Sequence, residues 1–399
     1  MNFRPDVHTI PPHVRPELVI DFDAMADQGM KVDLFKRLAE VRDGAPPIAW
    51  SPYNGGHWML FREKDIQSAL SDADHFTSAF MSLGSQERGG PAMIPLGMDP
   101  PAHTPWRMLV MKYFGPARIR ELEGRIRQTA EKLIAPLAGQ SECEFVRAVA
   151  EPMPISIFMA LMGLPPEGFA EFRDLALTVV SASDTTGEAS ARIMQILGEL
   201  IAARSAEPRD DLVSALLAEQ VNGAPIGGAE LMSICFVLFL GGLDTVTNAM
   251  TFGIRYLAME PELQAQVRAN PDRIPALVDQ LLRRSAFVNV QRQIKQDTVF
   301  SGVEMKAGDA VWNMCWAGSN EPGGETEGPR HLAFGSGFHM CAGMHLARLE
   351  LKVMYETWFR HVGQFALAPD PEPAMVGGQV MHIKRLKLNL QPAGEGAAA

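Results

Sequence analysis

The sequence predicts a mainly α-helical fold with a smaller β-rich lobe, and three observations carry that expectation. From Ala117 to Gln220 the chain is dominated by segments whose apolar side chains recur at the spacing of amphipathic helices. Apolar runs of strand length, bounded by Gly, Pro or Asn turns, are confined to residues 48–61 and roughly 293–317. Between them lies one long helix, Glu230 to about Met259, apolar enough to be central. With 47% apolar residues the chain can bury a large core.

Taken in order, residues 1–20 are proline-marked and read as an irregular N-terminal arm without the features of a signal peptide. Lys31–Val41 has helical spacing, Ile48–Trp50 and Trp58–Phe61 read as strands joined by a turn over Pro52–Gly56, and Glu63–Leu70 is helical. Residues 81–97 are glycine-rich and aperiodic and read as a mobile loop, either a lid or binding loop or a plain surface connection. Asp99 can cap the next helix, whose first turn suits Pro100 and Pro101. Helical periodicity then runs through Ala117–Leu137, Val149–Met162, Glu167–Val180, Ala189–Ala206 and Asp210–Gln220, with a break over Asn222–Gly228. After the central helix come the strand-rich patch, turning at Ser301-Gly302 and Ala307–Asp309, and a helix from Met344. Residues 394–399 form a flexible tail, no repeat appears, and residues 1–399 read as one domain.

Composition also excludes. A net charge of -11 argues against nucleic acid or an anionic membrane as the main partner. Cys143, Cys235, Cys315 and Cys341 are far apart, with no C-x-x-C, so neither a disulfide framework nor a zinc site is expected and the usage fits a reducing cytosol. The apolar run Leu231–Leu243 is too short to cross a bilayer, which leaves a cytoplasmic protein with a buried helix.

Three stretches carry chemistry. Phe334-Gly-Ser-Gly-Phe-His-Met-Cys-Ala-Gly343 reads F-x-x-G-x-H-x-C-x-G and runs directly into the Met344 helix. A cysteine there can have its thiolate stabilised by backbone N–H groups and the helix dipole, and such a thiolate is a soft axial ligand able to bind haem iron. Phe334 would cover the sulfur of Cys341, while Gly337 and Gly343 would let backbone approach the porphyrin edge and the sulfur. Next, His103 and Arg107 stand four residues apart on one helix face, where they can clamp an anion. Third, Gly241-Gly242-Leu243-Asp244-Thr245 weakens the middle of the central helix and places a carboxylate beside a hydroxyl. Thr245 can bond back to a carbonyl of the preceding turn, opening a groove; over haem iron that groove would be a berth for O₂ with Asp244 relaying protons, and otherwise the segment is a glycine kink with a buried, satisfied Asp–Thr pair.

Together these motifs resemble the cytochrome P450 superfamily, most closely its soluble bacterial enzymes of the camphor-hydroxylase type. The resemblance implies haem b between the long central helix and the loop of Cys341, the iron ligand. In it, D-P-P-x-H-x-x-x-R (Asp99–Arg107) is a propionate-binding helix, with Arg292 and His339 as further propionate donors, and Gly241–Thr245 is the oxygen-handling signature. Substrate would meet Val237, Leu240, Gly241, Val288 and Val380, with Met81 and Met93 as adaptable contacts and Gln379 as a polar handle. No tyrosine occurs in residues 81–97, and Pro91 falls where the camphor enzyme has its ketone-holding phenol. The implied activity inserts one oxygen atom of O₂ into a C–H bond of a small hydrophobic terpenoid, norisoprenoid or aromatic compound. Electrons would come from NAD(P)H through a ferredoxin reductase and a ferredoxin, which could dock on a basic patch holding Arg107 and Arg348.

The sequence departs from the family in two places. The E-x-x-R motif reads Gln280-Leu-Leu-Arg283, and the meander between Gly318 and Phe334 is short and lacks the usual arginine. Loss of a buried acid together with a buried base would leave the charge balance intact, so the two departures are expected to compensate. The alternative they raise is a non-catalytic or degenerate haem-binding protein.

Overall fold

The computed structural model describes residues 8–79, 93–180, 187–323, 330–369 and 375–392. The Gly394–Ala399 tail and most of the 81–97 loop, with Met81 and Pro91, lie outside them. The N-terminal arm is less irregular than expected. A 3-10 turn spans Pro16–Leu18, Val19 bridges Trp50 in parallel, and Val14, Leu18 and Val19 are buried. The helix expected over Lys31–Val41 is split at Asp33. There α1 (Gln28–Val32) ends, and the Asp33 carboxylate accepts the Lys36 N–H to start α2 (Leu34–Gly44). Strands β1 (Ile48–Ser51) and β2 (His57–Leu60) pair antiparallel, with Trp50 opposite Trp58, as expected. The segment closes with α3 (Glu63–Ser71) and β3 (Phe76–Thr77).

The helical lobe begins with α4 (His103–Phe114), α5 (Pro116–Arg120) and α6 (Glu123–Ile134). The single helix expected over Ala117–Leu137 is therefore interrupted at Glu121 and Leu122, and its last residues, Ala135–Leu137, tighten into a 3-10 turn. After β4 (Glu142–Glu144) the backbone makes a π turn over Val146–Ala150. Pro152, with no N–H to donate, then opens α7 (Pro152–Met162), which Gly163 ends in a left-handed conformation. Two longer helices follow, α8 (Phe169–Val180) and α9 (Glu188–Ala206). Next, α10 (Leu212–Leu217) is shorter than expected, because Gln220 and Val221 leave the helix as β5 (Gln220–Val221). They pair with β6 (Ala224–Pro225) around Asn222 and Gly223, both at positive φ.

The central helix is α11 (Gly228–Ala258), 31 residues long and within two residues of its expected start. By length and composition alone it could cross a membrane, but it packs against α7, α8, α9 and α10, which marks a core helix. Beyond it come α12 (Pro261–Ala269), α13 (Ile274–Ser285), β7 (Val290–Ile294), β8 (Thr298–Phe300), β9 (Val303–Met305) and β10 (Ala310–Asn313). The expected strand patch stops early, because Cys315–Ser319 is helical as α14 (Cys315–Ser319). The chain finishes with α15 (Met344–His361), β11 (Val362–Leu367), β12 (Met375–Val376), β13 (His382–Ile383) and β14 (Lys387–Pro392).

The largest sheet has the order β1-β2-β10-β7-β3 and carries Arg292 in β7, opposite Val311. Two helical cores meet along α11. Its first half, including Leu231, Phe239 and Leu243, packs into a core with α4, α8, α9 and α10. Its second half, from Val246 to Ala258, packs into a core with α6, α13 and α15. Leu346 and Leu349 of α15 touch both cores. Asp244 and Thr245 stand at the seam, between the last buried residue of one half and the first of the other.

Candidate active site

The cysteine loop is built by two tight turns. His331 caps the 3-10 turn Leu332–Phe334, and Gly335 and Gly337 then hold positive φ of 68° and 69°. The Cys341 N–H donates to the Phe334 carbonyl at 2.9 Å, which holds the cysteine two residues ahead of the Gly343 cap of α15. The two glycines differ in role. A Cβ on Gly337 would lie 2.3 Å from the Leu70 carbonyl oxygen, so the backbone approaches α3 closely there. On Gly343 the nearest atom would be the Cys341 sulfur at 3.9 Å, an ordinary contact. Burial pushes the Cys341 thiol up. The Gly343 N–H and the charges of Arg107 and Arg348 oppose that shift without overcoming it. The helix terminus alone therefore does not hold a thiolate; a cation bonded to the sulfur would.

Beside this loop the fold collects the four cationic or imidazole groups singled out from the sequence. His103 and Arg292 are 2% and 4% exposed, and His103 Nε2, Arg292 Nε and Arg292 Nη2 have no hydrogen-bond partner among the described residues. The His103 and His339 rings lie 4.3 Å apart. Burial, joined by the charge of Arg292, drives His339 down to about 3, so both imidazoles are neutral at pH 7. Burial also brings Arg292 down to about 10, against the pull of Asp99. Three of the four are partly committed elsewhere: His339 Nε2 bonds the Met98 carbonyl at 2.9 Å, Arg292 Nη1 donates to the Gln291 carbonyl at 2.7 Å, and Arg107 donates to the Met340 carbonyl. Asp99 does not cap α4 with its side chain. Its carboxylate accepts from the Thr77 hydroxyl at 2.7 Å and the Ser78 N–H at 2.8 Å, tying β3 to the cluster. Unpaired buried donors on a cation call for an anion, and haem propionates fit that requirement.

On α11 the Thr245 hydroxyl donates to the Gly241 carbonyl at 2.6 Å, the back-bond expected from sequence, although the helix runs on without a break. Thr247 bonds the carbonyls of Leu243 and Ala150, bringing the segment ahead of α7 against the helix one turn on from Asp244. Burial, reinforced by nearby Glu151, raises the Asp244 carboxyl to about 6, with Asn248 acting in the opposite sense. Gly242 packs on Phe158, whereas a Cβ on Gly241 would meet nothing within 4 Å. Room beside Gly241 is what a flat group lying along the helix would need.

Val288 and Val380 are joined by an antiparallel bridge, and Asn289 secures it by bonding the carbonyls of Gln379 and Gly378. Both valines are half-buried against one helical core, while half-buried Leu240 packs on the other. Val237, one turn before Gly241, is half-buried too, and the Gln379 side chain is exposed. Just after the described chain resumes at Met93, the Ile94 N–H bonds Ser233 of α11 at 2.8 Å, docking this segment on the central helix.

The E-x-x-R departure looks different in three dimensions. Gln280 is exposed, so no buried acid is missing at its side chain, and the expected exchange of two buried charges does not describe this fold. Arg283 is buried and donates to the Arg330 carbonyl. Asp279, one residue earlier, accepts from Arg348 Nε at 2.8 Å and from His331 Nε2 at 3.3 Å. Sequence reading missed Asp279, His331 and Glu151, and gave Asp99 a capping role in place of its bonds to Thr77 and Ser78. The only signal for Asp279 was an acid adjoining the displaced motif position.

Comparison with known proteins bears on the whole chain. The family model described as Cytochrome P450 matches residues 171–390. Erythromycin C-12 hydroxylase of Saccharopolyspora erythraea is 32% identical, over 87% of this chain and 91% of its own. Linalool 8-monooxygenase of Pseudomonas putida is 27% identical, over 84% and 89%. The crystal structure of cytochrome P450 CYP101C1 superposes with a TM-score of 0.88 at 32% identity, covering 96% of this chain and all of that one.

Proposed function

Because the chain belongs to the cytochrome P450 superfamily, and so to a family of haem-thiolate monooxygenases, we propose that it binds haem b through Cys341 and hydroxylates a small hydrophobic substrate. In the net reaction O₂, two electrons, two protons and R–H give R–OH and water. Bound haem supplies the reductive activation of O₂. The observation that carries the reading is the set of unpartnered donors on His103 and Arg292, buried beside the cysteine loop. In this proposal they bind the propionates, together with Arg107 and His339, while Phe334 shields the sulfur.

Thr245 and Asp244 handle protons. With its carboxyl raised to about 6, Asp244 can take up and release a proton near neutral pH, as a relay requires. The Thr245 hydroxyl, now donating to Gly241, can turn toward a guest beside that glycine. Val237, Leu240, Gly241, Val288 and Val380 are read as the substrate wall; their apolar character favours a hydrophobic guest and keeps water out. The linalool relative supports a terpenoid, with norisoprenoids and aromatics of similar size in the same class, whereas the erythromycin relative shows that the family accommodates larger molecules.

Electrons are assigned to NAD(P)H through a ferredoxin reductase and a ferredoxin. The reading treats residues 1–399 as one domain, a view supported by the match of 96% of the chain to one solved chain. It keeps the cytoplasmic location, without nucleic-acid or membrane partners, that the charge of -11 suggests. The test is turnover with NAD(P)H, a ferredoxin pair and a panel of terpenoids, norisoprenoids and aromatics under isotopically labelled O₂. One labelled oxygen atom per product is the expected result. Haem binding without substrate-dependent NAD(P)H consumption across the panel would favour a non-catalytic haem protein.

A further inference from the structure

We propose that Asp279 is a positioning residue for the thiolate site, acting through His331 and Arg348 on Phe334. The inference rests on the reading of Cys341 as the haem ligand and adds a device of this chain to it. The side chains of Asp279 and Arg348 are 20% and 28% exposed, and that of His331 is 1% exposed. The Ala333 N–H donates to His331 Nδ1 at 3.3 Å, so the ring proton sits on Nε2 and points at Asp279. One carboxylate oxygen thus receives both partners. Beyond it, the Arg348 guanidinium lies 4.6 Å from the centre of the Phe334 ring, and the His331 ring lies 5.7 Å from it. Phe334 is held by both, and its carbonyl accepts the Cys341 N–H.

The arrangement answers the question raised by Gln280. With residue 280 turned to solvent, the carboxylate on α13 that reaches the cysteine loop is residue 279. Its two partners come from either side of the loop, His331 before it and Arg348 on the helix after it. One acid therefore clamps both flanks of the ligand segment. A charge-assisted hydrogen bond from a guanidinium is among the stronger polar contacts available, and here the same guanidinium also lies against the ring of Phe334, whose carbonyl holds the Cys341 N–H.

The test uses holoprotein of the wild type and of Asp279→Asn, Asp279→Ala, Asp279→Glu and Gln280→Ala. Two readouts are taken, the Soret band of the reduced carbon-monoxide complex and the rate of haem transfer to apomyoglobin. Asp279→Asn and Asp279→Ala are expected to show a Soret component lacking thiolate ligation and haem loss faster by roughly three- to tenfold. Asp279→Glu should recover part of the thiolate band, Gln280→Ala should match the wild type, and adding Arg348→Gln to Asp279→Asn should cause little further loss. An Asp279→Asn protein with wild-type Soret band and haem-transfer rate overturns the proposal, as does a lowered melting temperature with an unchanged Soret band. Should the wild type itself lack thiolate ligation, the reading of Cys341 has failed. Alkylation of Cys341 in the haem-free protein then decides: faster labelling in Asp279→Asn than in Gln280→Ala upholds the clamp, and equal labelling overturns it.

Discussion

At the scale of single residues, Arg292 separates a binding role from a structural one, because the two predict opposite signs. An arginine that is 4% exposed with two unpartnered nitrogens burdens the fold when no anion is present. Arg292→Met should therefore raise the stability of the haem-free protein by about 1–3 kcal/mol while weakening haem retention, measured as denaturant midpoint and haem-transfer rate. Asp244 is tested by pH. Its carboxyl is raised from 3.8 to about 6, so the folded chain holds that proton more tightly than the unfolded one. Stability linked to it is present below 3.8 and is lost as pH rises through about 6, by roughly 2–3 kcal/mol. Asp244→Asn should flatten this part of the stability curve of the haem-free protein. In the holoenzyme it should slow turnover by about 100-fold if the proton relay is as assigned. The residues that could supply the chemistry were readable from motif spacing. Their prior commitments were not, since His339 to Met98 and Arg107 to Met340 are bonds to carbonyls that only the folded loop presents.

At the scale of elements, the cysteine loop is a folded unit whose glycines are not equivalent. Gly337 combines φ of 69° with backbone contact to Leu70, whereas Gly343 has φ of -81° and free approach. Gly337→Ala should cost more than about 2 kcal/mol, and Gly343→Ala should stay within about 0.5 kcal/mol, both read from thermal unfolding of the haem-free protein. Equal effects would mean that the motif spacing, and not the packing on α3, sets the requirement. The same contrast explains what sequence could reveal about elements. Apolar periodicity located α9 and α11 to within two residues. It could not see the break at Asp33, where a side-chain cap competes with helix continuation, or the loss of Gln220 and Val221 to a hairpin. Gln280 was misjudged for a related reason. A motif fixes residue spacing along α13, but which neighbour turns inward is decided by His331 and Arg348, which are distant in sequence.

At the scale of the whole molecule, the site lies where two helical cores meet along α11, with Asp244 and Thr245 at the junction and the cysteine loop leading into α15, which touches both. A group bridging this seam would couple the two halves of the fold, and ligand bound only by the native state stabilises it by mass action. Haem is assigned to that place, so its ligand bond is the claim on which the proton relay, the propionate sites and the clamp at Asp279 all depend. The most direct measurement is the absorption spectrum of the reduced carbon-monoxide complex of the wild type beside Cys341→Ala. The account predicts the long-wavelength Soret band of thiolate ligation in the wild type and its loss in the variant. The same band in both proteins, or no haem band in the wild type, would contradict it.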